Sequence, residues 1–229
     1  MKPIYVVLAV VILLTTAAIW GLRPSNQTSA WSQYTEAVYK AFPSQKGTLA
    51  KGATDTQIDK LLAAILHQLP PELIAALKLN NGGAGRHGSN SIFFGTQMLS
   101  VDGIIRDYEN WVLISREDPQ DYADDYTSVP HDTIKPMYTN SAWVPFAADG
   151  AGNNIGIDFD PGPNGRSGQI ISFGADEIEK LKIADSYPEF LTLMQSLLTH
   201  PKTRASESRG FSLSDIYIVD ALKEVRPHK

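Results

Sequence analysis

Residues 143–173 read W-V-P-F-A-A-D-G-A-G-N-N-I-G-I-D-F-D-P-G-P-N-G-R-S-G-Q-I-I-S-F. Three short apolar runs, Trp143–Phe146, Ile155–Phe159 and Ile170–Phe173, are separated by two connections rich in Gly, Asn, Asp and Pro. Short β-branched and aromatic runs bounded by turn residues predict a strand–turn–strand–turn–strand meander. In the middle run Ile155, Ile157 and Phe159 alternate with Gly156 and Asp158. That alternation predicts one buried face and one face carrying a carboxylate. No residue set within the stretch demands a reaction.

Helical patterns flank the meander. Upstream, Thr54 and Gln57 form a capping box. Ile58, Leu61, Leu62, Ile65, Leu66 and Leu69 then recur at three- and four-residue steps, predicting a helix that Pro70-Pro71 ends. Leu73, Ile74, Leu77 and Leu79 mark a second helix, stopped at Asn80-Asn81-Gly82-Gly83. His67 lies just off the first stripe and reads as a boundary residue rather than a ligand. Trp31, Tyr34, Val38 and Phe42 predict a short amphipathic helix before this pair, and Ile92-Phe93-Phe94 reads as a strand. Ser100 and Asp102 open a helix through Ile104, Ile105, Tyr108 and Trp111–Leu113. Downstream, Ser186 and Glu189 repeat the capping signal before Phe190, Leu191, Met194 and Leu197. Residues 202–209 read as a polar linker, and Ser212–Val225 as a last helix or strand–helix piece.

The 229 residues, 43% hydrophobic and 20% charged, have the composition of a globular protein with a full core. A formal charge of −5 without a basic stripe argues against nucleic acid, because nothing displaces counterions from phosphates. With no cysteine, disulfides, thiolate metal sites and a Cys nucleophile are excluded. Ile4–Leu22 carries no charge between Lys2 and Arg23, nearly the ~20 apolar residues of a membrane span. It reads as an uncleaved anchor, with a signal peptide as the alternative, cut after a small-residue site such as Thr16-Ala17-Ala18. Either places the domain outside the cytoplasm, at the membrane or free in the periplasm. The resulting layout is an anchor or signal peptide over residues 1–23, a linker and short helix over 24–53, a main domain over 54–200 and a C-terminal extension over 201–229.

Few of the residues fit a known site chemistry. The Gly-rich stretch 83–91 follows a helix and leads into an apolar run, so it lacks the strand–loop–helix context of a phosphate cradle; Arg86 and His87 within it could still meet an anion or a partner. Asp149, Asn153, Asp158, Asp160 and Asn164 are clustered oxygen donors, but they do not follow the EF-hand spacing, and turn chemistry accounts for them. Neither a G-x-S-x-G elbow nor a zinc-hydrolase histidine pattern is present. No metal and no cofactor is expected. The stretch 117–132, E-D-P-Q-D-Y-A-D-D-Y-T-S-V-P-H-D, interleaves tyrosines with carboxylates. It reads as a solvated loop or as a contact surface for a basic protein partner.

Taken in order, L-P-P-E-L-I-A-A-L-K-L-N-N-G (69–82), W-V-P-F-A-A-D-G-A-G-N-N-I-G-I-D-F-D (143–160), G-Q-I-I-S-F (168–173) and S-Y-P-E-F-L (186–191) resemble the SUKH superfamily, which includes the yeast cell-wall assembly regulator and bacterial toxin-immunity proteins. Asn153 stands where that pattern often has Asp. The resemblance implies an α+β domain, a twisted, mainly antiparallel sheet flanked by helices, that binds protein rather than catalysing a reaction. With an exported domain, it points first to an immunity protein neutralising a toxin at the envelope, then to a membrane-tethered scaffold or regulator of wall assembly, and last to an envelope hydrolase. The contact residues expected on this reading are Asp121, Tyr122, Asp124, Asp125, Tyr126, Asp158 and Asp160.

Overall fold

The computed structural model describes residues 29–84, 91–117, 125–206 and 209–225. Among them no helix is long and apolar enough to cross a membrane. The expected anchor Ile4–Leu22 and the Arg86-His87 loop lie outside the described residues.

The meander forms as β3 (Trp143–Ala148), β4 (Asn153–Asp158) and β5 (Gln169–Gly174), each antiparallel to the next. Three further strands extend it. Edge strand β1 (Gln97–Met98) pairs with β3, and β6 (Glu179–Ala184) follows β5. Strand β2 (Thr127–Val129) then pairs with β6 in parallel. The sheet order is β1-β3-β4-β5-β6-β2, with four antiparallel pairs and one parallel pair. The fold is therefore α+β with a mixed sheet, and β2 lies inside the stretch read above as an acidic loop.

On one face sit α1 (Ala30–Ala41), α3 (Pro71–Leu79) and α5 (Tyr187–Leu197), mutually packed over Val144, Phe146, Ile155, Ile157 and Ile170. Helix α1 presents Trp31, Tyr34 and Val38 to this core, and the buried Tyr34 hydroxyl donates to the Ile92 carbonyl at 2.5 Å. Helix α2 (Asp55–Ala64) has both arms of its capping box at Thr54 and Gln57. It stops at Ala64, short of the predicted Leu69, and leaves Leu62 and Leu66 exposed. At α5 the capping signal is split. The Glu189 amide donates to the Ser186 hydroxyl, while the Glu189 carboxylate accepts from the Asp185 amide rather than from Ser186.

Ile92-Phe93-Phe94 is a tight turn, not a strand: Phe94 and Gly95 take positive φ, and the three side chains are fully buried. Their rings serve the core, with Phe93 stacked on Tyr34 and edge-on to Phe190. The expected polar linker 202–209 contributes β7 (Thr203–Ser206), which pairs with β8 (Gly210–Leu213) as a separate hairpin before α6 (Ile218–Val225). Arg204 and Ser206 gave it the look of a linker; the hairpin is held by Phe211, stacked on Phe42.

The second sheet face is also covered. Helix α4 (Val101–Glu117) runs beside β3. Its first turns, Val101 to Tyr108, enter the main core, and Trp111 joins a smaller cluster with Ile134, Trp143, Ile171 and Phe173. Strand β4 is consequently buried at every position, which corrects the expectation of a solvent-facing carboxylate at Asp158.

Candidate functional site

The polar residues of the second face follow from strand register. Trp143 pairs with Asp158, and Asp158 with Gln169, so these three side chains form one row across β3, β4 and β5. The Trp143 indole donates to Asp158 Oδ1 at 3.1 Å, and the Gln169 amide donates to Oδ2 at 2.9 Å. The Asp160 backbone amide adds a third donor at 2.9 Å. Gln169 is itself fixed, its Nε2 donating to the Thr133 carbonyl at 2.7 Å and its Oε1 accepting from the Arg166 amide. Burial pushes the Asp158 carboxyl up to about 6, outweighing the three donors that favour its charged form. Beyond the row lies a second buried charge. Lys180, fully buried, donates to the Glu177 carbonyl at 2.8 Å and sits 4.4 Å over the Tyr126 ring. Burial brings its ammonium down to about 8.

Asp160 lies past the end of β4 and differs from Asp158 in every respect. It is part-exposed, pairs with Lys135 at 2.5 Å and accepts from Asn140 Nδ2 at 2.9 Å. The Asn140 and Lys135 hydrogen bonds hold its carboxyl below the ordinary aspartate range. These residues, with Ser115, Met137, Thr139 and Ser141, line a polar pocket of about 430 Å³.

A groove of about 440 Å³ opens on the other side of Tyr138, between α4 and the turn joining β3 to β4. Its apolar wall is Trp111, Ile114 and Tyr138; its polar wall includes Gln97, Asn110, Asn153 and Asn154. The wall is rigidly built. The Trp111 indole donates to Asn154 Oδ1 at 2.8 Å, and Asn154 Nδ2 donates to the Ala147 carbonyl. The turn is closed by Asp149, which accepts from the Ala151 and Asn153 amides and from Asn153 Nδ2. Asn153, which stands where the resembled pattern often has Asp, bonds both sides: its Oδ1 accepts from the Asp176 amide. A carboxylate there could not donate to Asp149.

The predicted contact residues are dispersed. Asp121, Tyr122 and Asp124 lie outside the described residues. Asp125 is exposed; Tyr126 is packed beneath Lys180 and against Tyr138. Asp158 is sealed in the row and Asp160 is paired with Lys135. His67, read as a boundary residue, stacks on Phe159 at 4.8 Å. Among the described residues no group of three or more His, Cys, Asp or Glu is arranged to hold a metal ion. Lys180, Gln169, Trp111 and Thr139 join these sites without having stood out as site residues in the sequence. Only the Gln169 role had a visible signal, its position one turn beyond the D-F-D-P strand end.

A model of the SMI1 / KNR4 family (SUKH-1) matches residues 52–193, which includes both depressions. The chain is similar to the "Glucan synthesis regulatory protein" of Neurospora crassa, 26% identical over 197 residues, covering 72% of this chain and 37% of that protein. It is 30% identical over 155 residues to the "Cell wall biosynthesis/cell cycle regulator smi1" of Schizosaccharomyces pombe, covering 64% of this chain and 31% of that one. With the "Cell wall assembly regulator SMI1" of Saccharomyces cerevisiae it shares 27% over 180 residues, 65% of this chain and 36% of the relative. The chain thus spans about a third of the length of these curated relatives.

Proposed function

Because the chain belongs to the SMI1 / KNR4 (SUKH-1) family, we propose that it is a non-catalytic, protein-binding module that regulates cell-wall assembly. One observation carries the binding reading: the carboxylates best placed for chemistry are committed to internal bonds. Asp158 accepts from three donors and Asp160 is tied to Lys135 and Asn140, while the open depressions are lined by aromatic and amide groups suited to recognition. The wall-assembly part rests on the relatives, whose printed names are those of regulators of wall or glucan synthesis. These names favour a regulator over the immunity protein placed first on sequence grounds. The uncharged segment Ile4–Leu22 supports tethering of the module to a membrane.

The test is loss of the chain in its own cells, followed by growth with a wall-binding dye and with glucanase. Hypersensitivity rescued by the full chain is the expected result. Unchanged wall tolerance, together with new sensitivity to a single toxin from neighbouring cells, would refute the regulator and reinstate immunity.

A further inference from the structure

The groove and the polar pocket are neighbours along one helix. Ile114 lines the first and Ser115 the second; Tyr138 faces the first, Met137 and Thr139 the second. Resting on the protein-binding reading above, we propose that this flank of α4 holds an extended, uncharged peptide segment of a partner protein. One apolar side chain of that segment seats against Trp111 and Tyr138, and a hydroxyl or amide side chain a few residues on enters the Lys135–Asp160 pocket.

Charge, hydrogen bonding and length each support this occupant. Every charged residue lining the two depressions is paired with another: Arg106 with Asp107 at 2.9 Å, and Lys135 with Asp160. Although the chain carries a net −5, this flank therefore offers a basic segment no free carboxylate, and a charged residue docked there would lose water without gaining a partner. The pocket's own groups suit a neutral polar side chain, because a hydroxyl or amide there can donate to Asp160 and accept from Lys135. Along the groove, Gln97 and Asn110 present amides that match a peptide backbone's alternating donors and acceptors. From Arg106 to Ser115 the helix rises ~13 Å at ~1.5 Å per residue. That length is covered by about four extended residues at ~3.3 Å each.

A random octapeptide library displayed on phage tests this when selected on the immobilised full chain. The variants Asn110→Arg, in the groove, and Ser115→Arg, in the pocket, carry the test, with Leu113→Arg on the solvent side of α4 as control. Thermal melts establish that each is folded; the two test sites are independent, so one folded variant suffices. The expected peptides carry no net charge and share an apolar or aromatic residue followed a few positions later by Ser, Thr, Asn or Gln. Their synthetic forms should bind Leu113→Arg like wild type and the two test variants at least about tenfold more weakly. Basic or acidic consensus peptides, no enriched peptide, or equal binding by all variants would overturn the assignment. So would a wild-type dimer, seen by sedimentation, that Asn110→Arg dissociates, since the occupant would then be a second copy. Cross-linked capture from the native cells separates this from the parent reading. A protein partner taken equally by wild type and variants removes the α4 site alone; no partner for any of them removes the binding reading as well.

Discussion

Asp158 sets a contest between two terms of opposite sign, and pH reads the result. Its three donors favour a carboxylate, yet its complete burial pushes the pKa to about 6 from the ordinary 3.8. Below the unfolded value both states are protonated and the group contributes nothing. Between about 4 and 6 the folded state holds a proton that the unfolded state has lost, so stability falls as pH rises, by ~1.4 kcal/mol per unit. Above the folded value the loss levels off at about 3 kcal/mol. Asp158→Asn removes the titration while keeping the side-chain shape. Its absolute stability is a poor readout, because its NH2 would face the Gln169 NH2, which cannot turn while Gln169 bonds Thr133 and Arg166. The slope is the better quantity. Urea denaturation of both proteins, followed by tryptophan fluorescence from pH 4 to 7.5, should show wild type losing about 3 kcal/mol relative to the variant as pH rises. Parallel curves would refute the reasoning, because they would mean that the Trp143, Gln169 and Asp160 donors keep Asp158 charged throughout.

Asp160 should behave in the opposite sense. Its folded pKa is depressed, so its stabilisation is present above the unfolded value and lost as pH falls through the lower folded one; Asp160→Asn should cost under about 1 kcal/mol at pH 7, and the cost should start to shrink only as pH drops below the unfolded value of about 4, in a urea series extended into acid. Lys180, lowered to about 8, loses its proton on folding before the unfolded chain does, so stability should climb from pH 8 towards 10; Lys180→Met should abolish that climb, and a variant retaining it would place the titration elsewhere. At Gly156 a Cβ would lie 2.5 Å from the Val144 carbonyl and 2.7 Å from the Phe173 ring; Gly156→Ala should lower stability by about 1–3 kcal/mol, and an unshifted denaturation midpoint would contradict this close approach.

The elements legible in the sequence are those whose signal is local. The Thr54–Gln57 box, the Pro-Pro corner and the three meander strands each rest on neighbours in the chain, and each is present. What escaped depends on distant residues. The segment 127–129 became a strand only through pairing with β6, about fifty residues on, and 202–209 looked like a linker because its hairpin is anchored through Phe211 to Phe42 and Phe94, far upstream. The Asp158 expectation failed for the same reason: alternation correctly gave the strand two faces, but nothing in it tells that α4 and Ile134 close the second. The site was harder still. Groove and pocket are lined by residues from positions 97 to 175, and Thr139 and Lys180 owe their burial to chain segments far from them in sequence.

The row joining Trp143, Asp158 and Gln169 also bears on how the meander finds its alignment. A sheet exposed on one side is told by water which residues belong inside, but here both sides are apolar, with Ile155 and Ile157 facing one cluster and Ile171 and Phe173 the other. A one-residue slip that turned β4 over would send Ile155 and Ile157 to the smaller cluster and bring Asn154, Gly156 and Asp158 into the main core. The carboxylate sets the heaviest penalty. Slipped by one, Asp158 would enter the core beneath α5 without an indole, an amide or a backbone donor, and an unpaired buried charge costs several kcal/mol. A single acidic residue, its hydrogen bonds met in only one pairing, thus helps to distinguish the correct strand alignment from a slipped one.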